Sequence, residues 1–564
     1  MAGGSGSDSF YFVDALTSTQ LIGNQDNDTI QIFASATASS VWGGAGADSL
    51  KIASDGQGYL LAGNLANDTI DITASLLSST VVGGAGDDRV YVTGTLNAGS
   101  VVGGSGADSL NFVQKVTGST VLGDVGADTL VFTETVVSSS IAGGDDSDTI
   151  AFIRDVTAST VDLGAGDDTV TLSVTGSSLT LMGGAGNDLV SINADLNTSS
   201  LTGASGNDSF VIVGDLAGNS ALTGNLGDDS ISVSGNATGI YGGQGNDTIS
   251  VVGTVSTGVI GGQVGADLIN ITGNVLSADL QLQNSNNITT LADTLIVSGS
   301  LSNTTVLSGS GADSLSITSA VLGGSINVGA GADNVLVGSS LGGLVELGSG
   351  ADTLSAGGSL SVATVLGGSG SDTLNIAGGT GSSVVGGYDA DSILFTSNVN
   401  ATTMLGGQAG DGRSILDSND SVYVGGSVSG VLAAGNYGDD TISVTGSAVA
   451  SSVYGGSGND LINLGSVVSA GVFYGNSGND TVLVGTSLAG GASIFGGNAD
   501  NAGGNDVDSI SIATISSGYI HVDQGNDTIV VNNVAEIASI YGGSGNDSLT
   551  IGSSASAVQI QGGT

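Results

Sequence analysis

The chain has 564 residues, 100 of them Gly and none Pro or Cys, and it carries 52 acidic against 5 basic side chains, a formal charge of −47. So few cations cannot build the basic patch that nucleic acid or an anionic membrane surface needs, and without Cys there are no disulfides, thiolate metal sites or thiol redox chemistry. A mean hydropathy of +0.33, with 39% hydrophobic but only 4% aromatic residues, argues against disorder and fits many thin core layers rather than a few thick ones.

The first residues, Met1-Ala2-Gly3-Gly4-Ser5-Gly6, have neither a charged n-region nor an apolar h-region, so no Sec-type signal is expected there. No apolar run approaches the ~20 residues that span a bilayer. A single repeat then dominates the chain. It reads Gly-Gly-x-Gly-x-Asp-Ser/Thr-Φ-x-Φ, as in Gly43-Gly44-Ala45-Gly46-Ala47-Asp48-Ser49-Leu50. Its Asp recurs at Asp8, Asp28, Asp48, Asp68, Asp88, Asp108, Asp128, Asp148, Asp168, Asp188, Asp208, Asp229, Asp247 and Asp267. After Asp293 the series continues through Asp313, Asp333, Asp352, Asp372, Asp391, Asp420, Asp440, Asp460, Asp480, Asp508, Asp527 and Asp547, 27 copies in all. Of the 26 spacings, 18 are 20 residues and five more lie between 18 and 21. The remaining three widen, to 26 before Asp293, 29 before Asp420 and 28 before Asp508. Longer edge loops are therefore expected near 280–292, 408–419 and 497–507, read either as lateral contacts with a neighbouring rod or as tolerated surface variation.

Within each unit the apolar residues alternate after the Asp. Leu110 and Phe112 follow Asp108, and Ile150 and Phe152 follow Asp148, with Val116, Val121, Val156 and Val161 completing their coils. Alternation of this kind marks a half-buried strand. The glycines supply a tight loop and the β-branched residues the strands. No stretch sustains a helical period. A unit of about 20 residues is too thin to fold alone, but stacking buries a continuous apolar column. The expected fold is all-β: one continuous parallel β-solenoid over 1–564, about 27 coils of ~20 residues, with no helical domain. At about 4.8 Å per coil it would make a rod roughly 130 Å long.

A loop in every coil puts a row of carboxylates along one edge, about 5 Å apart. They repel one another, and Lys and Arg are too few to pair with them. One dication in each of the 26 gaps would bring +52 against the formal −47. Oxygen-only ligands on a flexible loop select a hard cation and favour Ca²⁺ over Mg²⁺. The plain reading, that Gly/Asp loops are merely turns, does not by itself require an Asp at fixed phase.

The run Gly-Gly-x-Gly-x-Asp-x-Φ resembles the RTX-type nonapeptide, the Ca²⁺-binding β-roll of secreted bacterial proteins, over nearly the whole chain. The resemblance implies that the Asp carboxylate and loop carbonyls of adjacent turns share an ion. It makes Asp48, Asp88, Asp108, Asp188, Asp372, Asp460, Asp547 and their equivalents in the series Ca²⁺ ligands. The chain departs from that pattern, because its motif occurs once per coil of about 20 residues rather than every nine. The opposite edge carries turns such as Ala34-Ser35-Ala36-Thr37-Ala38, so one Ca²⁺ row is expected, not two.

No enzyme is expected. His521 is the only histidine, and Gly338-Ser339-Ser340-Leu341-Gly342 matches a nucleophile elbow only inside a repeat, with no His near it. Asn236, Asn303 and Asn400 begin sequons outside the metal loop. The chain starts within a motif and ends at Gly562-Gly563-Thr564, where the next would begin. Neither end shows a polar cap, so head-to-tail stacking into a filament is expected, unless the sequence is a fragment. Similarity to RTX-type surface-layer and fibril proteins, including those of gliding filamentous cyanobacteria, implies a secreted, extracellular cell-surface role. The protein would then form a fibril, sheath or S-layer with itself as partner, and would engage neither nucleic acid nor the membrane interior. The alternative is a binding solenoid, either an ice-binding rod or an adhesin extender. For that reading the pairs Ser79-Thr80, Ser119-Thr120 and Ser159-Thr160 would form a flat wall rank.

Overall fold

Short alternating runs separated by small residues turn the chain through three strands per coil. The computed structural model describes residues 1–283, 291–408, 418–497 and 505–563. Most of each expected longer loop, at 284–290, 409–417 and 498–504, lies outside them. The described chain is a parallel β-solenoid of about 27 turns of roughly 20 residues, without a helix among those residues. It divides into two compact units, Met1–Gly273 and Asn274–Thr564.

In the first unit one coil shows the plan. Strand Gln20–Gln25 runs into the glycine loop, Thr29–Ile32 leaves it, and the two-residue strand Ala36–Thr37 closes the third side. Each strand pairs in parallel with its counterpart in the next coil, Thr29–Ile32 with Ser49–Ile52 and Ala36 with Gly56. Like positions therefore stack: Ile30 on Leu50, Leu50 on Ile70, Ile70 on Val90. A residue pointing inward in one coil points inward in all, so the period-two pattern buries one face throughout. The residues expected inside are inside. Leu110, Phe112, Val116 and Val121, and likewise Ile150, Phe152, Val156 and Val161, are buried. In the second unit the same register holds, and in places the corners are passed without a break, as in the continuous strand Thr353–Ser369.

Phe112, Phe132 and Phe152 stack face to face inside the first unit, with ring centroids 5.0 and 4.9 Å apart. Replacing Phe132 by Ala leaves a cavity between two rings and is expected to cost about 3–5 kcal/mol. Replacing its outward neighbour Val131 should stay within about 0.5 kcal/mol. Urea unfolding of the two variants checks the difference.

Candidate functional site

The loop after each long strand brings the motif Asp to the inner side of a corner. The series from Asp28 through Asp527 is buried, each residue being 1–3% exposed, with Asp8 and Asp547 half-buried at the two ends. The carboxylates of the row expected along one edge turn inward. The cause is a hydrogen bond between coils. The amide of Asp28 donates to Asp48 Oδ1 at 2.6 Å, that of Asp88 to Asp108 Oδ1 at 2.7 Å, and that of Asp460 to Asp480 Oδ1 at 2.8 Å. The ladder runs through both units, from Asp8 to Asp267 in the first and from Asp293 to Asp547 in the second. It requires an Asp at fixed phase with or without a metal, which the argument from turns did not foresee.

Two glycines of the motif are needed for different reasons. A Cβ on the first, Gly83, would meet Asp88 Oδ2 at 2.6 Å and the Gly103 carbonyl at 2.5 Å, so a side chain there would displace the carboxylate. The second, Gly84, has φ +128° and stacks on the Asn64 carbonyl. Where it is replaced, the substitute is often Asn or Asp, as at Asn24, Asn64 and Asp124, which tolerate positive φ.

The second carboxylate oxygen is the chemically open feature. Oδ2 of Asp48, Asp68, Asp88, Asp108, Asp208 and Asp372, among others, is buried without a hydrogen-bond partner. Beside it lies the carbonyl of the next coil's first glycine. A carboxylate oxygen buried without a donor is satisfied by a cation or by a proton. Burial pushes the carboxyls up from their ordinary 3.8, to about 6 at Asp48 and about 7 at Asp68 and Asp108. The preceding coil's amide partly offsets this, and neighbouring carboxylates add to it. The donor set fits Ca²⁺ in chemistry, since every exposed lone pair belongs to oxygen. Among the described residues no three carboxylates or imidazoles converge. An ion would therefore rest on one Asp oxygen per coil and otherwise on main-chain carbonyls.

Two further ladders escaped the sequence reading. The Asx before the motif Asp accepts from the next coil, opposite in direction to the Asp ladder. The Ala47 amide donates to Asn27 Oδ1 at 2.9 Å, and that of Asn459 to Asp439 Oδ1 at 2.6 Å. Its signal was present in the frequent Asn-Asp and Asp-Asp pairs. The serines of the wall pairs face inward. Ser79, Ser119 and Ser159 are buried; Ser79 accepts from the Tyr59 amide and donates to the Leu77 carbonyl. Thr80, Thr120 and Thr160 alone of those pairs face outward, in register with Ser100 and Ser140. His521 pairs with Asp523 at 2.9 Å and packs beside Phe495 and Tyr541.

Because their folded-state pKa is raised, Asp68 and Asp108 each contribute stability that is complete below pH ~4 and is lost as pH rises through about 7. In chelator, the melting temperature is expected to fall between pH 4 and 8, and Ca²⁺ should flatten that dependence. In chelator at pH 4, where the carboxyls are protonated, Asp108→Ala leaves the Asp88 amide unpaired and should cost about 1–3 kcal/mol. Asp108→Asn keeps an acceptor for that amide, so it should cost less; urea unfolding separates the two.

No family model matches the chain, and no curated protein matches it. Among solved structures it is similar to a hyperactive, Ca²⁺-dependent, β-helical antifreeze protein from an Antarctic bacterium. The match has 19% identity and a TM-score of 0.24, and covers 60% of this chain and 80% of that one.

Proposed function

We propose that the protein is an extracellular structural element, a Ca²⁺-stabilised solenoid that assembles end to end into a surface fibril, sheath or S-layer. The observation that carries the metal part is the buried Asp Oδ2 beside a main-chain carbonyl, without a hydrogen-bond partner at Asp48, Asp68, Asp88, Asp108, Asp208 and Asp372. The structural part is supported by the repetition of one coil plan in both units. A chain without Ca²⁺ at neutral pH has either to bury charge or to take up protons, so the ion acts as a folding switch. Where Ca²⁺ is micromolar or lower, as inside a cell, most of the chain stays unfolded. Millimolar Ca²⁺ outside fills sites of the weak extracellular class and folds it.

A second reading, an ice- or glycan-binding solenoid, is favoured by the outward rank of Thr80, Ser100, Thr120, Ser140, Thr160, Thr180 and Ser200, all in register. That rank is interrupted by Leu60 on one side and Ala221 on the other.

A Ca²⁺ titration followed by circular dichroism and negative-stain microscopy tests the first reading. Disordered chains should become β-rich and join end to end. Separate folded particles would retain the metal and remove the assembly, and thermal hysteresis in those particles would favour the second reading. A β-rich chain unchanged by chelator at neutral pH would remove the Ca²⁺ switch.

A further inference from the structure

The first position of the glycine motif is not uniform. Leu163 stands there in one coil of the first unit. In the second unit Leu282, Ser308, Val328 and Leu347 occupy it in successive coils, and Val522 occupies it farther along. All six side chains are fully buried. The register leaves no doubt about equivalence: Glu346 pairs with Leu366 and Gly348 with Gly368, which sets Leu347 beside Gly367.

In a glycine coil this position is where the Asp Oδ2 and the next coil's carbonyl come together. Gly183, for example, would place a Cβ 2.5 Å from both Asp188 Oδ2 and the Gly203 carbonyl. Ser308 shows what the oxygen pair lacks. Its hydroxyl donates to the Val328 carbonyl at 2.8 Å and lies against the Asp313 carboxyl, so the carbonyl of the pair is supplied with a donor while Asp313 Oδ2 is left without one. At Leu163, Val328, Leu347 and Val522 the same place is filled by hydrocarbon. The carboxylate ladder nevertheless continues: the Asp313 amide donates to Asp333 Oδ1 at 2.7 Å, and that of Asp333 to Asp352 Oδ1 at 2.8 Å. The motif Asp is therefore kept for its hydrogen bond even where a side chain occupies the neighbouring space. Its presence alone does not mark an ion.

We infer that the cation row of this chain is interrupted: coils with glycine at the first position take an ion, and coils with Leu163, Leu282, Ser308, Val328, Leu347 or Val522 there take none. The stretch 294–347 then holds its fold without metal. This rests on the Ca²⁺ reading above. A solenoid permits it, because each coil is stabilised by its neighbours and not by the whole.

The test is hydrogen exchange read by mass spectrometry on the full chain at neutral pH, in Ca²⁺ and in chelator. Amides of 69–152 and 421–484 should lose protection by more than about tenfold on chelation, while those of 294–337 change by less than about twofold. Loss of equal size everywhere overturns the interruption and leaves the Ca²⁺ reading standing. No change anywhere overturns both. Equilibrium dialysis with radioactive Ca²⁺ gives a second measure. Gly103→Val, which copies the residue at Val328, should lower the bound count by one, and Leu347→Gly should raise it by one. Both variants keeping the parent count, with the fold verified by circular dichroism, overturns the inference.

Discussion

One carboxylate buried above another in every coil is the constraint that the rest of the structure answers. In-register parallel pairing sets Asp88 between Asp68 and Asp108, and each gives its amide to the carboxylate of the next. That bond satisfies one oxygen. The other is held against a carbonyl, in a place where water is excluded and an unpaired charge is costly. The glycine content follows from this geometry, since the carboxylate occupies the room a first-position side chain would need. So does the sensitivity to ions: a cation or a proton must balance what the amide leaves open.

Three polar ladders share the task of holding coils in phase. The Asp ladder takes its amides from the preceding coil, the Asn and Asp before it take theirs from the following coil, and the inward serines take theirs from the preceding coil at the next corner. Opposed directions at one corner mean that a slip of a coil in either sense breaks one set. Hydrophobic burial alone would not prevent such slips, because Ile, Leu and Val stack nearly as well on one another at neighbouring positions. The apolar column supplies most of the stabilisation, and the polar ladders supply the register.

The fold was legible in the residues to an unusual degree. The period of 20, the alternation of Leu110 with Phe112, and the placement of Val116 and Val121 correspond directly to three strands and a filled interior. The site was legible only in part. The Asp series is legible in the repeat, but the side to which its carboxylates turn is not, because that depends on the adjoining coil. Ser79 and Ser119 were read as wall residues because serine beside threonine looks polar and exposed, yet each satisfies its hydroxyl inside the coil.

The sequence by itself determined the repeat, the strand class and the identity of the residue that recurs in each coil, because all three depend on spacing along the chain. Only the tertiary structure decided which way the Asp turns and what it meets. Its partner lies 20 residues away, in the adjoining coil, and that contact exists only once the stack has chosen its register. The same holds for the first glycine, whose neighbours are the carboxylate of its own coil and the carbonyl of the next. Spacing along one chain cannot report distances between its layers.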